Sequence, residues 1–229
     1  MKITVKACNP DAQKAHCAVI GLTDSRTLSD FTKKVDEAMG GALKKRVASG
    51  DVTGKKNQVA TLYEPTGLAC DRLVIVGFGK RNKLSLADYR KVCRRAAEAV
   101  RNSGCRNVSL WLPEMEVRQA DVEQTSRHLT EALLDAWYRF DELKSEPGDD
   151  KAPQQVTICV SDKRHLNKTK AGVRVGEAVG HGMQAARRLA DLPGNICTPA
   201  FLASEARKLQ RSHKLKIHVL DEKDMKRLG

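Results

Sequence analysis

The run Gly77-Phe78-Gly79-Lys80 follows a string of apolar residues, "RLVIV", and is the first place where the chain could do chemistry. A glycine turn after a strand can offer backbone N–H groups to a phosphate. The spacing for that use is absent. A Walker loop needs GxxxxGK[ST], a dinucleotide fingerprint needs GxGxxG, and "VGFGKRNKLS" supplies neither. The turn therefore reads as structural, with its N–H groups open to an anion but not built for one. Metal chemistry has no better footing. No HExxH pattern occurs, and the six histidines, His16, His128, His165, His181, His213 and His218, are scattered. Asp149-Asp150 sits in a polar linker where solvation suffices. Asp221, Glu222 and Asp224 alternate with Lys223 and Lys226 and read as the charged start of a helix. Seven cysteines at wide spacing, without a CxxC, form neither a disulfide framework nor a zinc knuckle; they read as buried free thiols of a reducing compartment.

Basic residues are the remaining candidates. The chain has 41 Lys and Arg against 28 Asp and Glu, a formal net charge of +13. Between Lys80 and Arg106 nine cations face only Asp88 and Glu98; between Lys163 and Arg188 seven face only Glu177. Such clusters attract polyanions by releasing counterions. The residues singled out for a nucleic-acid surface are Lys80, Arg81, Lys83, Arg94, Arg95, Lys168, Lys170 and Arg174. The competing reading is solvated helix faces, and the interleaved aromatics of a single-strand binder are missing.

The elements that must position these residues alternate between strand and helix. "KITVKAC" alternates polar and apolar, "CAVIGL" and "RLVIV" are continuously apolar, and "NVSLWLPE" and "VTICVSD" read as further strands. A helical stretch from Thr27 to Asp51 breaks at Gly40-Gly41. Ser85 caps a helix that closes at Gly104, and "ADVEQTSRHLTEALLDAWYRF" is a second amphipathic helix. A long helix over "NKTKAGVRVGEAVGHGMQAARRLADLP" carries Gly172, Gly176, Gly180 and Gly182 on or near one face, which permits close packing. Strands apolar on both sides, alternating with helices, predict an α/β layer with a mixed, largely parallel sheet. No apolar run approaches the roughly 20 residues of a membrane helix, and no secretory leader pattern opens the chain.

Late in the chain, "ARRLADLPGNICTPAFLASEARKL" and "LKIHVLDEKDMKRLG" resemble the leucyl aminopeptidase (cytosol aminopeptidase) family. The marks are Leu192, Pro193, Asn195, Pro199, Asp221, Glu222, Met225 and Gly229; "RLVIVGFGK", "SLADYRKVCRRAA" and "YRFDELKSE" agree upstream. The resemblance implies a three-layer, macro-like α/β domain over residues 1–168, an interdomain linker helix over 169–192, and a truncated start of the catalytic domain over 193–229. It also implies a helix, then a strand, then a further helix after Pro199, with Thr198 as N-cap and Pro199 at the first helical position. Members are cytoplasmic two-metal exopeptidases acting on peptide substrates, with Mn or Zn held by a lysine and carboxylates in the C-terminal part, and they assemble as hexamers. The implied metal ligands lie downstream of Gly229, so no catalytic or metal residue is assigned here and the chain alone is expected to be inactive. Some bacterial members also bind duplex DNA, which gives the basic clusters an alternative role. No membrane partner is implied. Apolar Leu202, Leu209, Ile217, Val219 and Leu220 are expected to lack a packing surface within this chain.

Overall fold

The computed structural model describes residues 1–25 and 27–229. Two compact units are distinguished, Met1–Gly182 and Met183–Gly229. In the first, six strands form one sheet: β1 (Lys2–Ala7), β2 (Ala15–Thr23), β3 (Val59–Tyr63), β4 (Cys70–Gly79), β5 (Asn107–Leu110) and β6 (Gln155–Val160). The spatial order is β1-β6-β5-β2-β4-β3, and only the β3–β4 pair is antiparallel.

Helices cover both faces because the strands are apolar on both. On one face, α1 (Asp30–Ala38) and α2 (Ala42–Ser49) bury Phe31, Val35 and Leu43 against Ala18, Ile20, Leu73 and Ile75. On the other, α3 (Leu86–Ser103) and α4 (Val122–Ala136) bury Tyr89, Val92, Ala96, Leu129 and Leu133 against Cys17, Val19, Val74 and Val76. Alternate strand residues thus feed opposite cores, the period-two signature of a sheet. The glycine pair splits α1 from α2 as expected. Gly41 has no side chain to cap α2, and Asp36 supplies one from α1: its Oδ1 accepts from Lys44 N at 2.8 Å.

Local chemistry sets the other helix ends. Ser85 accepts from Asp88 N at 3.2 Å, and Gly104 closes α3 at φ 67°. Asp121 and Gln124 form a reciprocal capping box on α4. The reading of "NVSLWLPE" as all strand needs correction. β5 ends at Leu110, and Leu112–Glu114 is a 3-10 turn, because Pro113 has no N–H for a sheet ladder.

Helix α5 (Leu166–Asp191) runs 26 residues. Three of its glycines are packing surfaces. A Cβ at Gly172 would collide with the Glu123 carbonyl of α4, one at Gly176 would lie 2.7 Å from the Arg127 carbonyl, and one at Gly180 would meet Leu134. Gly182 does not share this face: nothing lies within 4 Å of its Cβ position, since two residues turn a helix by about 200°.

In the second unit, Thr198 accepts from Phe201 N and caps α6 (Pro199–His213) with proline at the first turn. Pro193 ends the helical run, and its carbonyl accepts from Ile196 N and Cys197 N, both at 2.9 Å. Asp221 caps α7 (Glu222–Leu228). The expected strand between these helices is absent: residues 214–221 form no ladder. A strand exists by pairing, and these residues pair with no described strand. Leu202, Leu209, Val219 and Leu220 are exposed, 42–51%, and Ile217 is partly so.

Candidate functional site

The Gly77–Lys80 turn is structural. Gly77 N donates to Gln58 O at 2.8 Å and Gly79 N donates to Gly54 O at 2.9 Å, so neither glycine N–H is left for an anion. A side chain at Gly77 would collide with the Lys55 carbonyl, and Gly79 has φ 74°. These glycines bring the segment Gly54–Lys56 onto the end of β4.

The eight basic candidates divide into two kinds. Arg81, in the 3-10 turn Arg81–Lys83, makes a forked pair with Glu116, with Nε at 2.8 Å from Oε2. Arg94 reaches Asp135 at 2.8 Å, Arg95 reaches Glu98 at 3.3 Å, and Lys168 reaches Asp121 at 3.2 Å. Those four are neutralised by carboxylates. Lys80, Lys83, Lys170 and Arg174 are exposed and have no carboxylate partner among the described residues.

Nor do all eight share one patch. Lys168 is tied to Asp121, at the start of α4, and Arg94 to Asp135, near its end; fourteen residues of helix separate those anchors by roughly 21 Å. The sequence clusters are thus spread along the helical layer.

The structure gathers a different set of residues. At the carboxyl ends of β5 and β6 lies a cleft of about 410 Å³. Its walls come from the segment after β5 (Pro113, Glu114, Met115, Glu116, Val117), the start of α4 (Asp121, Val122, Thr125), and the turn into α5 (Arg164, His165, Lys168). Its charges are ordered by pairing. Glu116 is held below the usual carboxylate range by the hydrogen bond from Arg81. Asp121 is lowered by the Gln124 backbone N–H and then by Lys168. Asp162, just outside, is lowered to about 2 by Arg164, whose side chain and backbone N–H both donate to it. Glu114 binds the Ser161 N–H through Oε1. Of the eight basic residues singled out from the sequence only Lys168 lines this cleft. The others follow turns whose path depends on strand order, although carboxylates directly after a strand, as in "LPEMEV", were a visible signal.

The thiols follow the expected pattern in part. All seven are free; Cys17, Cys93, Cys105 and Cys159 are buried, while Cys8, Cys70 and Cys197 are partly exposed. Burial pushes the Cys17 thiol up to about 12. Among the described residues no three His, Cys, Asp or Glu side chains are gathered as a metal site requires.

Comparison with known proteins decides the family. Residues 19–147 match the cytosol aminopeptidase family, N-terminal domain, which is more than half of the chain. The chain belongs to this family. Over its whole length it is 38% identical to a probable cytosol aminopeptidase of Alkalilimnicola ehrlichii, covering 46% of that protein. It is 35% identical to one of Thioalkalivibrio sulfidiphilus, covering 47%. The chain thus spans about half the length of the curated relatives it matches. Its fold is that of a tomato leucine aminopeptidase mutant, at a TM-score of 0.79 and 21% identity, covering all of this chain and 46% of the other. The bottromycin maturation enzyme BotP, solved in complex with Mn, aligns at 0.69 and 20% identity over 94% of this chain and 40% of its own. No helix among the described residues is long and apolar enough to cross a membrane.

Proposed function

We propose that this chain is the N-terminal, non-catalytic part of a cytoplasmic aminopeptidase that releases N-terminal residues, leucine preferred, from peptides. Residues 1–168 form its α/β domain, 169–192 its linker helix, and 193–229 the beginning of the part that carries two divalent ions, Mn or Zn. The observation that carries this reading is the match of the whole chain to about half of each curated relative. The hexameric assembly of the family is extended to the full-length protein.

Two measurements test this. The 229-residue chain, assayed on leucine p-nitroanilide with Mn or Zn, should show no metal-dependent release. The protein isolated from its source should have roughly twice the mass of this chain, 25.3 kDa, and should be active. Metal-dependent turnover by the 229 residues alone would overturn the assignment.

A second reading is duplex DNA binding. It is favoured by Lys170 and Arg174, exposed one helical turn apart without carboxylate partners among the described residues, together with the net charge of +13. Loss of binding with rising salt tests it.

A further inference from the structure

The cleft at the carboxyl ends of β5 and β6 has the position of a ligand site. In an open α/β sheet, ligands settle outside the carboxyl ends of the strands, where neighbouring strands send their connections in opposite directions. Here that reversal falls between β5 and β2, and the cleft lies on the β5–β6 side of it, lined by the connections that follow β5 and β6. Met115, from the segment after β5, leans over β2 so closely that a Cβ on Gly21 would lie 2.7 Å from its Cγ. The cleft's volume, about 410 Å³, falls in the roughly 300–1,000 Å³ range of small-molecule sites.

Its lining selects a ligand by charge. Pro113, Met115, Val117, Ala120 and Val122 offer an apolar surface. Glu116 and Asp121 are already matched by Arg81 and Lys168. Glu114 uses only Oε1, on Ser161 N–H, and its Oε2 has no partner among the described residues. That oxygen suits an ammonium group. The His165 ring makes no hydrogen bond among the described residues, and Lys168 spends one on Asp121 and keeps further donors. These suit a carboxylate. Of the cleft's cations Arg164 is paired with Asp162 and Lys168 with Asp121, so a polyphosphate would find little free positive charge beside Glu114, and a base would find no Phe, Tyr or Trp to stack on. A purely apolar ligand would strip water from charged groups without replacing it.

We propose that this cleft binds a free apolar α-amino acid as its zwitterion, with the ammonium at Glu114, the carboxylate at His165 and Lys168, and the side chain against Met115 and Val117. The proposal stands on the cleft alone and does not depend on the peptidase reading, since the titration below uses the 229 residues without turnover.

The test is a titration of the isotopically labelled chain with L-leucine, read by amide chemical shifts. Saturable shifts confined to residues 113–125 and 161–168 are expected. N-acetyl-leucine, which lacks the ammonium, and leucinamide, which lacks the carboxylate, should each bind about tenfold more weakly or worse. Glu114→Gln keeps an acceptor for Ser161 N–H and removes the charge; it should weaken leucine by about tenfold with the spectrum otherwise unchanged. The proposal fails if leucine gives no saturable shifts, if both blocked analogues bind as well as leucine, or if Glu114→Gln binds it unchanged. It also fails if inorganic phosphate, the control anion, occupies the cleft in place of leucine.

Discussion

Replacing Gly172 by alanine should destabilise the chain, whereas the same change at Gly182 should stabilise it. Alanine is favoured over glycine inside a helix by about 1 kcal/mol, so in open space both changes would help. At Gly172 the added methyl would collide with the Glu123 carbonyl and sit 3.1 Å from Arg127 N. Both are backbone atoms of α4 and cannot rotate aside; α5 must move off α4. Overpacking of that kind costs about 1–3 kcal/mol, and the lost contact adds to it. The net expected loss is about 1–2 kcal/mol, a fall in Tm of about 3–6 °C for a chain of this length. At Gly182 nothing lies within 4 Å, and a gain of about 0.5–1 kcal/mol should raise Tm by about 2–3 °C. Gly180→Ala, whose nearest neighbours are side-chain atoms of Leu134, should fall between the two. Thermal melts followed by far-UV circular dichroism, with urea midpoints beside them, read all three. A Gly172→Ala chain that melts at or above the wild type would refute the close α4–α5 contact. So would a Gly182→Ala chain that loses as much as Gly172→Ala.

Asp36→Ala removes the acceptor for Lys44 N at the uncapped start of α2 and should cost about 1–2 kcal/mol by urea denaturation; Asp36→Asn keeps an acceptor and should recover most of it. Asp121→Ala opens the capping box on α4 and should cost about 1 kcal/mol in the same assay. Acid should destabilise the fold through carboxylates whose folded pKa is depressed: Asp162 by Arg164, Asp88 by Lys56, Glu116 by Arg81, and Asp121 by the Gln124 N–H. Their contribution is present above the unfolded values near 4 and is lost as pH falls through the lower folded values. Tm should therefore be flat from about pH 7 to 5 and drop below about pH 4; a decline that begins above pH 5 would point to other groups. If duplex DNA binds, Lys170→Ala combined with Arg174→Ala should reduce the slope of log affinity against log salt by about 2. Arg94→Ala, whose cation is already matched by Asp135, should change it little.

Helices and strands were legible because each carries its own signal. The spacing of Tyr89, Val92, Cys93, Ala96 and Val100 writes one face of α3, and Ser85 and Gly104 mark its ends. Even the structural role of Gly77 and Gly79 followed from motif spacing alone. The cleft was not legible, because its walls come from residues 113–125 and 164–168, two segments that the pairing of β5 with β6 brings together. Charge runs are incomplete for the opposite reason. Adjacency in sequence counts cations but does not show carboxylates arriving from other elements, such as Glu116 at Arg81 or Asp135 at Arg94.

The segment "LKIHVL" sharpens the difference between what a sequence encodes locally and what it needs from a neighbour. Its alternation of Leu215, Ile217 and Val219 with polar residues has the period of a half-buried strand. A helix satisfies its own N–H and C=O groups, so α6 and α7 form on either side with their own caps, Thr198 and Asp221. A strand cannot do this; its hydrogen bonds belong to a ladder, and one face must be buried to outweigh the backbone entropy of extension. Residues 214–221 have no ladder among the described residues, and Leu215, Val219 and Leu220 are 42–51% exposed. The pattern in the sequence is thus a statement about pairing, and it becomes a strand only where an edge is supplied.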